Sequence, residues 1–90
     1  MIVLRTDEYW AALQVIQDHI AQSNPMAAIG MWLHIDDQVA ALADPNFPRR
    51  PGRVPGTMEL VAHANYIVLL KQSATEVIAF DVVHAAMQFP

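Results

Sequence analysis

A loop rich in proline and glycine divides this chain into two halves with different hydrophobic periodicities. Between Ala43 and Gly56 the helical spacing of apolar residues stops. The residues that replace it are typical of turns, namely Pro45, Pro48, Pro51, Pro55, Gly52 and Gly56. The half before the loop predicts helices and the half after it predicts strands. Helices followed by strands in this order are typical of an α+β fold.

The first half predicts a short strand and a helical hairpin. Ile2-Val3-Leu4 is prone to β structure, and Thr6 or Asp7 is suited to cap the helix that follows. Apolar side chains then recur at helical spacing in two stretches, separated by Asn24-Pro25, which is a helix-start signal. The core-facing positions are Trp10, Leu13, Ile16, Gln17 and Ile20 in the first stretch, and Ala28, Trp32, Ile35, Val39 and Leu42 in the second. Because about two residues join the two helices, they must lie antiparallel.

The second half predicts a three-stranded antiparallel meander. Its runs are Met58–His63, Tyr66–Lys71 and Val77–Val83. Both alternating sets of the last run are apolar: Ile78, Phe80 and Val82 form one set, and Val77, Ala79 and Val83 form the other. The hairpin covers one face of such a sheet and leaves the other apolar face to be covered. We expect this second face to be covered either by a partner or a second copy of the chain, or by the chain's own C-terminal tail.

Size and composition limit the classes of function. Ninety residues predict a single domain, 1–90, with one hydrophobic core. The chain has no cysteine, and no apolar run is long enough for a membrane span, so we expect a cytoplasmic protein without a thiolate site. The net charge of −4 disfavours direct binding to nucleic acid, which depends on lysine and arginine.

Three segments of the second half carry a family resemblance. They are Arg50-Pro51-Gly52-Arg53-Val54-Pro55-Gly56-Thr57, Asn65-Tyr66-Ile67-Val68 and Val83-His84-Ala85-Ala86-Met87-Gln88-Phe89-Pro90. In this order they resemble the RelE/ParE family of bacterial toxins, whose members carry G-R-V-P-G-T-R-E-L-V, N-Y-[IV]-[IVL]-x-Y-[RK] and V-[LI]-H-A-R-R-Q-[FWY]-P. The resemblance implies an N-terminal strand, joined at a sheet edge, and an antiparallel helical hairpin packed on a small antiparallel sheet.

The resemblance also implies a function. It points to the toxin of a type II toxin–antitoxin system, closer to ParE than to RelE, that inhibits DNA gyrase and is neutralised by a cognate antitoxin of the ParD or a similar type. One alternative is a degenerate, non-toxic relative that keeps antitoxin binding. A second alternative is a RelE-like, ribosome-dependent mRNA endoribonuclease, for which the resemblance singles out Arg53, Lys71 and His84. No cofactor and no metal are implied.

The chain departs from the family pattern where positive charge is expected. Met58 stands in place of an arginine, and Asp81 lies where RelE-type members often place one. Ala86 and Met87 replace the arginine pair of the tail, and Leu70 replaces a tyrosine. A phosphoryl-transfer site without its cations loses most of its electrostatic stabilisation, so the sequence disfavours an enzyme.

Several residues have competing interpretations. The predicted partner-binding residues are Arg49, Arg50, Arg53, Lys71, Val77, Ala79 and Phe89, although the loop arginines are equally consistent with solvated charges. His84 shares strand parity with Phe80, which favours a buried structural histidine over an acid or base. Glu59 is expected to be a surface carboxylate. Trp10, Met26, Met31 and Trp32 are expected to pack in the core or within the helical hairpin.

Overall fold

Two helices and five strands make up the part of the chain, residues 1–86, that the computed structural model describes. The elements are β1 (Ile2–Arg5), α1 (Asp7–Ala21), α2 (Pro25–Ala41), β2 (Arg50–Pro51), β3 (Met58–His63), β4 (Tyr66–Gln72) and β5 (Glu76–His84). The sheet order is β1-β5-β4-β3-β2. β1 runs parallel to β5, and every other pair is antiparallel. The α+β prediction is therefore confirmed, including the meander and the edge position of the first strand.

Side-chain caps fix the start of both helices. Thr6 accepts a hydrogen bond from the Tyr9 backbone N–H at 3.1 Å, and Asn24 accepts one from Ala27 at 3.0 Å. Pro25 occupies the first turn of α2, where its missing N–H has no helical partner to lose. The two helices pack on each other as the predicted hairpin.

The hydrophobic core lies between this hairpin and one face of the sheet. The helices contribute Tyr9, Leu13, Ile35 and Val39, with Leu42 directly after α2. The sheet contributes Leu60, Ala62, Tyr66, Val68, Leu70, Val77, Ala79 and Val82. Burial of these apolar side chains is the main stabilising contribution to the fold. None of the helices in residues 1–86 is long and apolar enough to cross a membrane.

A β-bulge shifts the side-chain alternation of β5. Leu69 pairs with Asp81 while the next residue, Leu70, pairs with Ala79, so Phe80 is an extra residue on β5. As a result Val82, and not Val83, follows Ala79 into the core. The parity assigned to Val82 from the sequence was therefore wrong, since strict alternation holds only in a strand without a bulge.

One packing role predicted from the sequence was also wrong, since Met26 is 77% exposed on α2. Trp10 is partly exposed, but its ring stacks on that of Trp32 at 5.9 Å, which is the packing within the helical hairpin that was expected. Met31 and Trp32 do pack against the core. The proline loop is less irregular than expected, because Arg50–Pro51 forms a short strand that pairs with Met58 and Glu59.

Candidate functional site

The face of the sheet turned away from the helices is apolar and partly exposed within residues 1–86. Its middle strand is the more covered part, since Ile67 is 3% exposed, whereas Val61 is 49% exposed. We call this surface the open face and define it by Ile2, Leu4, Val61, Ile67, Leu69, Ile78 and Phe80. Ile2 and Leu4 are 57% and 41% exposed on the edge strand. The strand register aligns Leu4 with Ile78, and Ile78 with Lys71, so the open face is continuous across β1, β5 and β4.

Glu59 lies at the β2 side of the open face and is almost completely buried. Its side chain is 2% exposed. One carboxylate oxygen accepts a hydrogen bond from Arg50 Nε at 3.1 Å and forms an ion pair with Arg50 Nη2, also at 3.1 Å. The other oxygen accepts a hydrogen bond from the Arg53 backbone N–H at 3.1 Å. The expectation of a surface carboxylate was therefore wrong. The short strand β2 and the loop after it fold over Glu59 and bring these donors to it.

Arg49 is a structural residue of the proline loop. Its guanidinium donates hydrogen bonds to the backbone carbonyls of Phe47, Asp44 and Leu42 at 3.0, 2.6 and 3.4 Å, and to Gln72 Oε1 at 3.2 Å. All three side-chain nitrogens are engaged, and the group is half-buried. The structure thus contradicts the solvated-charge interpretation of this arginine, whereas its contact with a partner stays a prediction.

The other loop and strand cations lie nearer the surface. Arg50 pairs with Glu59 but remains about half exposed, and Arg53 is exposed. Lys71 is exposed, and its Nζ lies 5.5 Å from the centre of the Phe80 ring on the open face. For these three residues the prediction of partner binding stays a prediction. Phe89 lies outside the described residues.

The structure contradicts the assignment of Val77 and Ala79 to a partner surface. Both side chains are 0% exposed and belong to the core beneath the helices. The apolar alternation of β5 was recognised from the sequence, but the two faces were not distinguished. The residues that do reach the open face on this strand are Ile78 and Phe80.

His84 is exposed and not a buried structural histidine as expected. The end of β5 leaves it at the surface, where its Nδ1 accepts a hydrogen bond from the Ala86 backbone N–H at 3.1 Å. It pairs with Tyr66 at one end of β4, whereas Lys71 lies near the other end. Five residues of strand separate these two ends by about 17 Å. His84 and Lys71 are therefore too far apart to act on one phosphate.

Three histidines and a tyrosine form a row of rings that sequence reasoning missed. The ring centres of His34 and His63 are 5.9 Å apart, those of His63 and Tyr66 6.0 Å, and those of Tyr66 and His84 5.5 Å. His34 also bonds to the Ala62 carbonyl through Nε2 at 2.7 Å. No spacing in the sequence connects these positions, because α2, β3, β4 and β5 each contribute one ring. Within residues 1–86, no three such ligands are grouped to hold a metal ion.

A polar cluster on the other side of the sheet joins the edge strand to both helices. Asp36 accepts hydrogen bonds from Arg5 Nε at 2.7 Å and from the Tyr9 hydroxyl at 3.0 Å. Burial of Tyr9, together with the negative charge of Asp36, raises the pKa of its hydroxyl well above its ordinary value. The cluster holds Tyr9 in the protonated form and ties β1, α1 and α2 together.

A family model and a solved structure match this chain. The family model described as ParE toxin of type II toxin-antitoxin system, parDE, matches residues 3–89. A solved structure titled "Chromosomal ParDE TA system from P. aeruginosa" shares the fold, with a TM-score of 0.82 and 24% sequence identity over 93% of this chain and 95% of that chain. No curated protein matches the sequence. The chain belongs to the ParE toxin family of type II toxin–antitoxin systems.

Proposed function

We propose that this chain is a toxin that inhibits DNA gyrase in the cytoplasm and is neutralised by a ParD-type antitoxin seated on the open face. Binding of the antitoxin to the open face is supported by one observation: this apolar face lies next to positively charged side chains although the protein as a whole is acidic. Arg50, Arg53 and Lys71 lie around or near the open face, while the whole chain has a net charge of −4. Family membership over residues 3–89 supports the toxin class.

The open face suits an amphipathic, acidic segment. Exposed apolar side chains such as Leu4 and Ile2 would be removed from water by a partner's apolar residues, which is favourable at about 25 cal/mol per Å². Carboxylates on that segment would pair with Lys71 and with the exposed part of Arg50. The edge strand β1 also offers its free side for strand addition.

The geometry supports action by binding and not by RNA cleavage. His84 and Lys71 lie at opposite ends of β4, and Arg49 and Arg50 are engaged by groups of the fold. A ribonuclease would need cations converging on the scissile phosphate to stabilise charge in the transition state. The choice of gyrase as the target rests on the ParE family.

A supercoiling assay tests the proposed target. Purified chain is added to DNA gyrase and relaxed plasmid, with the chain premixed with its antitoxin as the control. We expect loss of supercoiling that the antitoxin prevents. Uninhibited gyrase at a large excess of correctly folded chain, together with cleavage of ribosome-bound messages, would contradict the gyrase proposal and favour the RelE-like alternative.

One observation favours the alternative of a non-toxic relative. Where arginine is common in the family, Met58 instead packs against the core, and Asp81 accepts a hydrogen bond from its neighbour Val82 at 2.8 Å. Met58 and Asp81 therefore both make contacts within the fold, and neither supplies the positive charge that the family commonly has at these positions. If the chain is non-toxic, it binds the antitoxin with normal affinity while leaving both gyrase and growth unaffected.

A further inference from the structure

Helix α2 carries two seams of the same spacing on opposite sides. The inner seam is Ala28, Trp32, Ile35 and Val39, continued by Leu42, and it faces the core. The outer seam is Met26, Gly30, Leu33, Asp37 and Ala40, and it faces away from the sheet. Both follow alternating steps of four and three residues, which is the spacing of helices that pack against other helices.

The first part of the outer seam, up to Leu33, is apolar, exposed and not covered by residues 1–86. Met26 is 77% exposed and Leu33 is 56% exposed, and the neighbouring Ile29 is exposed as well. From Pro25 to Leu33 every residue of the helix is apolar. A helical segment that is apolar on all sides is usually covered on all sides, so this part of the outer seam is a candidate contact surface.

Gly30 opens the outer seam between Met26 and Leu33. Glycine within a helix is less stable than alanine, and its presence here is not explained by crowding, because a Cβ at this position would meet no atom within 4 Å. A position without a side chain between two exposed apolar residues allows a second helix backbone to approach closely.

The charges at the two ends of the outer seam are complementary for a second copy of the chain. Asp37 is exposed near the C-terminal end, and the first turn of α2 holds no acidic residue. In an antiparallel pair centred on Gly30, Asp37 of one copy lies opposite residues 23–24 of the other. There its carboxylate meets the positive end of the helix dipole. A parallel pair would instead place Asp37 against Asp37.

We propose that two copies of this chain associate through their outer seams, with α2 antiparallel to α2 around a two-fold axis at Gly30. The same patch on both copies satisfies the requirement for a closed dimer. In this arrangement the two helices overlap over residues 25–35, about 15 Å, so the interface is smaller than the standard size and the dimer is expected to be weak. The proposal is independent of the toxin's target and leaves the open face free for another partner.

Site-specific cross-linking tests the proposal directly. The native chain has no cysteine, so Gly30→Cys provides a single thiol at the proposed two-fold axis. Val15→Cys is the matched control, because Val15 is exposed on α1 and faces the groove beside β5. We expect Gly30→Cys to form a disulfide-linked dimer under mild oxidation, with Val15→Cys remaining monomeric. Equal cross-linking of both variants, or of neither, would overturn the proposal.

Sedimentation of uncross-linked variants provides the second measurement. Leu33→Glu should make the chain monomeric at concentrations where the native chain and Val15→Glu still dimerise, and circular dichroism should show the same fold for all three. If the native chain stays monomeric at about 1 mM, self-association is wrong. If Leu33→Glu instead weakens antitoxin binding without changing the mass of the free chain, the seam belongs to the antitoxin and the proposal is also overturned.

Discussion

Arg50 and Glu59 face each other across the β2–β3 ladder and close an ion pair at 3.1 Å over the open face of the sheet. The carboxylate is nearly inaccessible to water, while the arginine side chain is about half exposed. The buried carboxylate of Glu59 therefore holds the guanidinium of Arg50 in a fixed orientation at the surface. It also anchors the proline loop, since the second oxygen of Glu59 holds the Arg53 backbone.

Replacing Glu59 with glutamine should loosen this loop. The substitution keeps the side-chain shape but removes the charge that Arg50 and the Arg53 N–H share. We expect a loss of about 1–3 kcal/mol in the free energy of unfolding, measured by urea denaturation. Glu76→Gln on β5 is the control and should change stability by less than about 0.5 kcal/mol. Equal effects of the two substitutions would contradict the anchoring role of Glu59.

Arg49→Lys should destabilise the chain although it conserves the charge. Lysine cannot reproduce the planar set of donors that binds the carbonyls of Phe47 and Asp44 together with Gln72. The expected loss is about 1–3 kcal/mol in the free energy of unfolding, with no change in affinity for the antitoxin once the protein is folded. A variant of native stability that binds the antitoxin weakly would show that Arg49 is a contact residue after all.

Ionisation of the Tyr9 hydroxyl should lower the free energy of unfolding at alkaline pH. Its pKa in the folded chain is raised above the ordinary value of 10.0, because burial and Asp36 both disfavour the phenolate. The folded state therefore keeps a proton that the unfolded state loses above about pH 10, and stability falls as the pH rises beyond that point. Tyr9 should contribute a slope of up to about 1.4 kcal/mol per pH unit. Thermal unfolding from pH 8 upward measures it. In Tyr9→Phe this part of the slope should be absent, and an unchanged slope would contradict the assignment.

Leu4→Glu should weaken antitoxin binding without unfolding the protein. Leu4 is exposed on the edge strand of the open face, and a carboxylate there would be buried without a partner when the antitoxin docks. We expect the affinity measured by calorimetry to fall about tenfold or more. Val15→Glu makes the same kind of change on an exposed part of α1 and should leave the affinity unchanged. The opposite ranking would place the antitoxin on the helical side of the molecule.

The order and pairing of the main elements could be predicted from the sequence because they depend on local signals. The cap at Asn24, the proline after it and the three apolar runs each act over a few residues. The family resemblance added the edge position of β1, a long-range feature that periodicity does not encode.

The open face was harder to predict because it depends on the bulge at Phe80 and on the loop that brings β2 next to β3. The extra residue Phe80 changes which side of β5 faces the core, and no residue type near it signals a bulge. The burial of Glu59 depends on where the proline loop folds back, which becomes evident only when β2 pairs with β3. Val77 and Ala79 were misassigned because two apolar faces cannot be told apart by alternation alone, and His84 because its position at the end of β5 leaves it exposed.

Toxicity is tested by the viable count after controlled expression of this chain alone in bacteria, compared with expression together with its ParD-type antitoxin. We expect a loss of viability with filamentation, because blocked DNA gyrase prevents chromosome segregation, and full recovery when the antitoxin is present. Normal growth at a verified level of soluble, folded chain would contradict its action as a toxin and would favour the non-toxic relative.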